Sequence, residues 1–269
     1  MTTIEERAFL DCSTLKHINI PNSVTEIDAR AFQGCSALES INIAENNPAY
    51  KSIDGVLYNK QLTSIIAFPP KNSNTTYVIP NTVTKIEELA FSDCLDLKNI
   101  IIPDSVSSIE EMAFWGCSAI KNIIIPKSIT KIKDYAFAYC YALKNIDLPN
   151  SVIEIGESVF KDCSMLKNID IPNSVTNIGQ FAFLYCPALE NINVAEDNPA
   201  YQSVNGILFN KQLTSVIAFP PKNKHTTYTI PNTVTEIEEY AFGGCSTLKS
   251  IFIPNNVTEI KRYAFYDCI

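Results

Sequence analysis

Long apolar runs are missing from this 269-residue chain; none reaches the ~18 residues that a membrane-crossing helix needs. The first residues, Met1-Thr2-Thr3-Ile4-Glu5-Glu6, hold no basic stretch followed by an apolar one, so no signal peptide is expected in this chain. Histidine is scarce: only His17 and His225 occur, and neither has a Ser, Cys or carboxylate placed beside it by a recognisable motif. Two solvated side chains are therefore expected there. Gly-x-Gly-x-x-Gly, a phosphate loop, His-Glu-x-x-His and a calcium loop are all absent. So are Cys-x-x-Cys-type pairs, which would bring four ligands to one zinc ion. The expectation is a chain that is not an enzyme, with no catalytic residue, no metal and no cofactor. Positive charge is also short, with 21 Lys and Arg against 29 Asp and Glu. A net charge of −8 offers no general attraction to phosphate backbones, so neither nucleic acid nor an anionic membrane is an expected partner.

What is present is a period. Nine cysteines stand at positions 12, 35, 94, 117, 140, 163, 186, 245 and 268, at a spacing of 23 or of 59, which is 23 plus an insertion of 36. A repeat of this length signals a stacked array, because one coil cannot bury its apolar face alone. One unit runs Leu143-Lys144-Asn145-Ile146-Asp147-Leu148-Pro149 and then Ser151-Val152-Ile153-Glu154-Ile155. The first stretch alternates apolar and polar, as a half-buried strand does. Pro149 ends it, since proline has no N–H for a ladder. Ala136-Phe137…Cys140 and Ala182-Phe183…Cys186 then suit one turn of α- or 3₁₀-helix, with Ala, Phe and Cys inward.

The pattern Ile-x-Ile-Pro-x-Ser-Val-Thr-x-Ile-x-x-x-Ala-Phe-x-x-Cys resembles the BspA-type leucine-rich repeat family, and Ile171 to Cys186 is a near-consensus copy. The resemblance covers essentially the whole chain. It implies an α/β repeat fold: a curved solenoid with a parallel sheet on the concave face and short helical turns on the convex side. It also implies a cell-surface or secreted role, since family members in bacteria and parasitic protists are associated with host matrix proteins and with cell–cell attachment.

Residues 1–269 are expected to form a single solenoid, with hairpin-containing insertions at 44–79 and 195–230. The first insertion holds Asn47-Pro48-Ala49-Tyr50, then apolar runs punctuated by Asp54-Gly55 and Asn59-Lys60, which mark a hairpin. Leu62 to Phe68 reads as another rung of the main sheet, and Thr75 to Pro80 as the next. Residues 1–118 align with 152–269 without a gap, so the second insertion is a copy of the first, with Asn205-Gly206 in place of Asp54-Gly55. The cysteines read as a ladder of small buried thiols; coil-to-coil disulfides are the other arrangement that the spacing permits.

Alternation places three columns of side chains outside the core. The first is Lys98, Lys121, Lys144 and Lys167; the second is Asn99, Asn122, Asn145, Asn168 and Asn191. The third contains Ile66, Val78, Ile101 and Ile124, followed by Asp147 and Asp170. Four adjacent exposed apolar residues mark a contact surface. A further aromatic set, Trp115, Tyr135, Tyr139, Tyr141, Phe181, Tyr185, Tyr240 and Tyr263, reads as packing between coils on the other side. The expected function is a protein-binding scaffold that uses the sheet face, its partner a host matrix or cell-surface protein. The alternative is a self-assembling module that associates end to end: the chain opens and stops in mid-repeat, leaving Ile4, Phe9 and Leu15 at one end and Val257, Ile260 and Phe265 at the other.

Overall fold

The computed structural model describes residues 1–268; Ile269 lies outside them. Each coil contributes two parallel strands. In the coil around residue 150 these are Asn145–Asp147 and Glu154–Ile155. Between them the N–H of Val152 bonds the C=O of Pro149 at 3.0 Å, closing the turn that the proline begins. Neighbouring coils pair at the spacing of the repeat, Asn122 with Asn145 and Ile123 with Ile146 in the main strands, Lys131 with Glu154 and Ile132 with Ile155 in the short ones. A register equal to the repeat stacks like on like, so Ile100, Ile123, Ile146 and Ile169 form one buried column. Leu143 and Ile146 point in and Lys144, Asn145 and Asp147 point out, as the alternation predicts.

The turn side differs from expectation. No helix occurs among the described residues, so the short helical turns implied by the resemblance are replaced by consecutive tight turns. The reason is how the amides divide. The N–H groups of Ala136, Ala138 and Cys140 close turns onto Lys133, Tyr135 and Phe137, whereas those of Tyr135, Phe137 and Tyr139 reach Glu157, Val159 and Lys161 in the next coil. An α-helix would use every amide locally and leave the coils unjoined. Keeping alternate amides free for the neighbour requires left-handed residues four apart, here Tyr135 at φ 56° and Tyr139 at φ 61°. Such residues cost on the order of 1 kcal/mol each, a cost offset by the inter-coil ladder.

The insertions also differ. Tyr50–Ile53 and Val56–Asn59 form the expected antiparallel hairpin, turned by Asp54 and Gly55, both left-handed. The segment Ser64–Ala67, however, is not a rung of the main sheet. It pairs antiparallel with the hairpin and parallel with Lys85–Ile86, and so belongs to the sheet of short strands. Asn59 directs this reversal: its Oδ1 accepts the N–H of Thr63 at 2.8 Å and of Ser64 at 2.9 Å. The hairpin tip takes the vacated place in the main sheet, where Gly55 C=O accepts the N–H of Ile41 at 2.9 Å. The main strands Ser40–Ile43 and Thr76–Val78 therefore do not touch. The second insertion repeats this arrangement, with Gly206 accepting from Ile192 at 2.9 Å.

Each insertion supplies more layers on the strand side, where its hairpin is added, than on the turn side, where it contributes only Phe68 or Phe219. The core accordingly falls into three clusters. Its phenylalanine stack breaks at the same places, into Phe9–Phe32, then Phe68 through Phe183, then Phe219–Phe242–Phe265. All nine cysteines are free thiols, buried except Cys12 and Cys268 in the first and last coils. Each internal one points at a phenylalanine carbonyl of the preceding coil, as Cys117 Sγ does to Phe91 at 3.0 Å.

Candidate binding face

Three of the four apolar residues predicted to lie outside do so together. Val78 pairs directly with Ile101, Ile124 lies in the next strand, and their exposures are 60%, 56% and 71%. Ile66 does not join them. It is 7% exposed and packs in the first core cluster, because its strand left the main sheet for the short one. Asp147, paired with Ile124, and Asp170 beyond it are exposed, so the apolar stripe ends against two carboxylates.

The flanking columns stand where the alternation puts them. Lys98, Lys121, Lys144 and Lys167 are exposed; Lys167 lies 3.8 Å from Glu190, and no other member has an ion pair among the described residues. The asparagines bind one another across strands: Asn145 Nδ2 donates to Asn122 Oδ1 at 3.1 Å and Asn191 to Asn168 at 2.9 Å. Asn193 likewise donates to Asp170 Oδ1 at 2.8 Å. These bonds restrain the asparagine column beside the apolar stripe and leave less of its side-chain entropy to be lost on docking.

His17 is exposed and shares a hydrogen bond with Ser40 at 3.0 Å. His225 is not the solvated side chain expected: it is half-buried 6.3 Å from the Tyr228 ring, and its Nε2 is enclosed. Among the described residues no group of three His, Cys, Asp or Glu converges as metal ligands would. Of the aromatic set, Trp115–Tyr139–Tyr141 and Phe181–Tyr185–Tyr240–Tyr263 form two groups packed ring to ring on the turn side, whereas Tyr135 joins neither and donates its hydroxyl to Glu157 at 3.1 Å.

Sequence reasoning missed Asn47 and Asn198. Both are fully buried. Asn198 Nδ2 donates to Pro172 and Val175 C=O, each at 2.8 Å, and its Oδ1 accepts the N–H of Ala200 at 2.9 Å and Tyr201 at 2.8 Å. The Asn-Pro-Ala-Tyr tetrapeptide, present once per insertion, was the available signal.

Coils that recur every 23 residues, pair in register through parallel strands and stack one phenylalanine on another define a leucine-rich-repeat solenoid. The chain belongs to the BspA type leucine rich repeat family, whose model matches in 6 copies over residues 1–77, 66–190 and 215–269. No match is found among curated proteins. Among solved structures, a leucine-rich repeat protein from Eubacterium ventriosum is 27% identical with a TM-score of 0.68, over 95% of this chain and 60% of that one. A leucine rich cell surface protein from Faecalibacterium prausnitzii is 29% identical with a TM-score of 0.62, over 97% of this chain and 64% of that one. The pneumococcal vaccine antigen PcpA shares the fold, with a TM-score of 0.70 at 23% identity, over 100% of this chain and 62% of that one. The chain thus spans less than two thirds of each of these proteins. No described helix is long and apolar enough to cross a membrane.

Proposed function

We propose that residues 1–269 form one continuous, non-enzymatic scaffold that binds a protein partner on its main-strand face, displayed at a cell surface or secreted. The observation that carries this is the contiguous stripe Val78–Ile101–Ile124, exposed on adjoining main strands beside an asparagine column whose members are hydrogen-bonded across strands. Apolar surface in fixed geometry between a lysine column and two aspartates suits a protein partner with an apolar centre and a charged rim. The cell-surface description of the Faecalibacterium protein supports the location. Binding to immobilised extracellular-matrix proteins by surface plasmon resonance tests the reading. Ile101→Asp with Ile124→Asp is expected to weaken binding at least tenfold with far-UV circular dichroism unchanged, whereas Ile100→Asp, an inward residue, unfolds the array. Undiminished binding by the folded double variant refutes the face assignment. Sedimentation velocity on the same samples separates partner binding from end-to-end self-association.

A further inference from the structure

The two breaks in the phenylalanine stack are the same site built twice, and the two copies differ. At the second break the coil holding Phe183 and the coil holding Phe219 enclose a cleft of ≈ 270 Å³, floored by Leu189, Ile192 and Ile217. Its mouth is aromatic: Phe181 meets Tyr240 edge to face at 5.5 Å, and Tyr185 lies 6.4 Å from the same ring. At the first break the cavity is only ≈ 20 Å³. The residues 151 positions earlier are Arg30 for Phe181, Gly34 for Tyr185, Glu88 for Glu239 and Leu89 for Tyr240. There Arg30 reaches across the gap, its Nε donating to Glu88 Oε1 at 2.6 Å. The chain closes its first cleft with its own arginine.

In the second copy the arginine is gone and the carboxylate remains. Glu238 is engaged, with Lys261 Nζ at 2.7 Å and Ser215 Oγ at 3.0 Å. Glu239, half-buried, has no cation within 4.0 Å among the described residues. Arg262 of the next coil lies over the Tyr263 ring at 5.2 Å and donates to its hydroxyl at 3.4 Å. We propose that this cleft, on the turn side and separate from the main-strand face, is a binding site for an arginine side chain presented by a polypeptide partner. The guanidinium pairs with Glu239, the counterpart of Arg30's partner, and stacks on one of the two perpendicular rings of the mouth, Phe181 or Tyr240, while its methylenes enter the gap between Phe183 and Phe219. Arginine suits this surface better than lysine, because a planar, weakly hydrated cation stacks on aromatic faces and pairs bidentately with carboxylate. The volume points to a single side chain, being below the ~300–1,000 Å³ of sites that enclose a whole small molecule.

Isothermal titration calorimetry with the blocked peptide acetyl-Gly-Arg-Gly-amide, beside its lysine, citrulline and leucine counterparts, tests the proposal on the full chain. The arginine peptide is expected to bind with a stoichiometry of one, and citrulline, isosteric but neutral, roughly tenfold or more weakly. Glu239→Gln should weaken the arginine peptide by a similar factor while leaving the thermal midpoint in place. Phe181→Arg, which restores the arginine of the first copy, should abolish binding by filling the cleft from within. Absence of binding to the wild-type chain, equal binding of arginine and citrulline or leucine peptides, or undiminished binding by folded Glu239→Gln overturns the assignment. Should Phe181→Arg not fold, Glu239→Gln and the citrulline peptide decide alone.

Discussion

Replacing Asn198 by aspartate changes one NH₂ into an oxygen and nothing in shape, and it should cost more than any surface substitution in the chain. The amide now bridges two segments: two carbonyls of the preceding coil on one side and two amides of the hairpin entry on the other, all at 2.8–2.9 Å. Aspartate keeps the two acceptor roles and loses both donors. Val175 C=O is then buried without a partner, at about 1–3 kcal/mol, Pro172 C=O keeps only the N–H of Val175 at 3.3 Å, and both face a carboxylate. The expected loss at pH 7 is about 4 kcal/mol, a large share of the ~5–15 kcal/mol that holds a domain. The sign with pH follows from the charge. Burial against carbonyls raises this carboxyl above its unfolded value of about 3.9. The charge penalty is thus absent below the unfolded value, grows as pH rises through it, and is complete above the folded value. When neutral, the group also donates one hydrogen bond, so the deficit at pH 4 should shrink to about 2 kcal/mol. Urea unfolding followed by far-UV circular dichroism at both pH values measures this, with hydrogen exchange at the Tyr201 amide as a local readout. Asn150→Asp, exposed and with no side-chain hydrogen bond among the described residues, serves as the control. A deficit under about 1 kcal/mol at pH 7, or one that does not change with pH, would show that this asparagine does not hold the insertion to its neighbouring coil.

Burial pushes the Cys140 and Cys163 thiols well above their ordinary range, whereas the hydrogen bond with Cys245 brings Cys268 down to about 7. Since the thiolate reacts, iodoacetamide at pH 7.5 should label Cys268 first and the buried ladder only after denaturation; equal labelling of all nine in the native protein contradicts that order. Gly55 is left-handed at φ 78°, and a Cβ there would come within 2.9 Å of Ser40 Cβ. Gly55→Ala should therefore cost about 2 kcal/mol and loosen exchange at the Ile41 amide, while an unchanged urea midpoint would show that the hairpin tip does not hold the sheet together.

Much of the array was legible in the residues alone. A strict spacing of 23 sets the coil length, so like residues must stack, and alternation within Leu143–Leu148 sorts inward from outward side chains without further information. Both are local properties. The turn side was not legible, because Ala-Phe-x-x-Cys satisfies a helical pattern equally well; the decision came from amides needed by the next coil, as between Phe137 and Val159. The destination of Ile66 was no more visible, since its run reads as a strand in either sheet and only the pairings with the hairpin and with Lys85–Ile86 choose between them. The clefts belong wholly to tertiary structure. They exist because an insertion adds more layers to the strand side of the stack than to the turn side, and no window of sequence shorter than the insertion plus both neighbouring coils contains that imbalance.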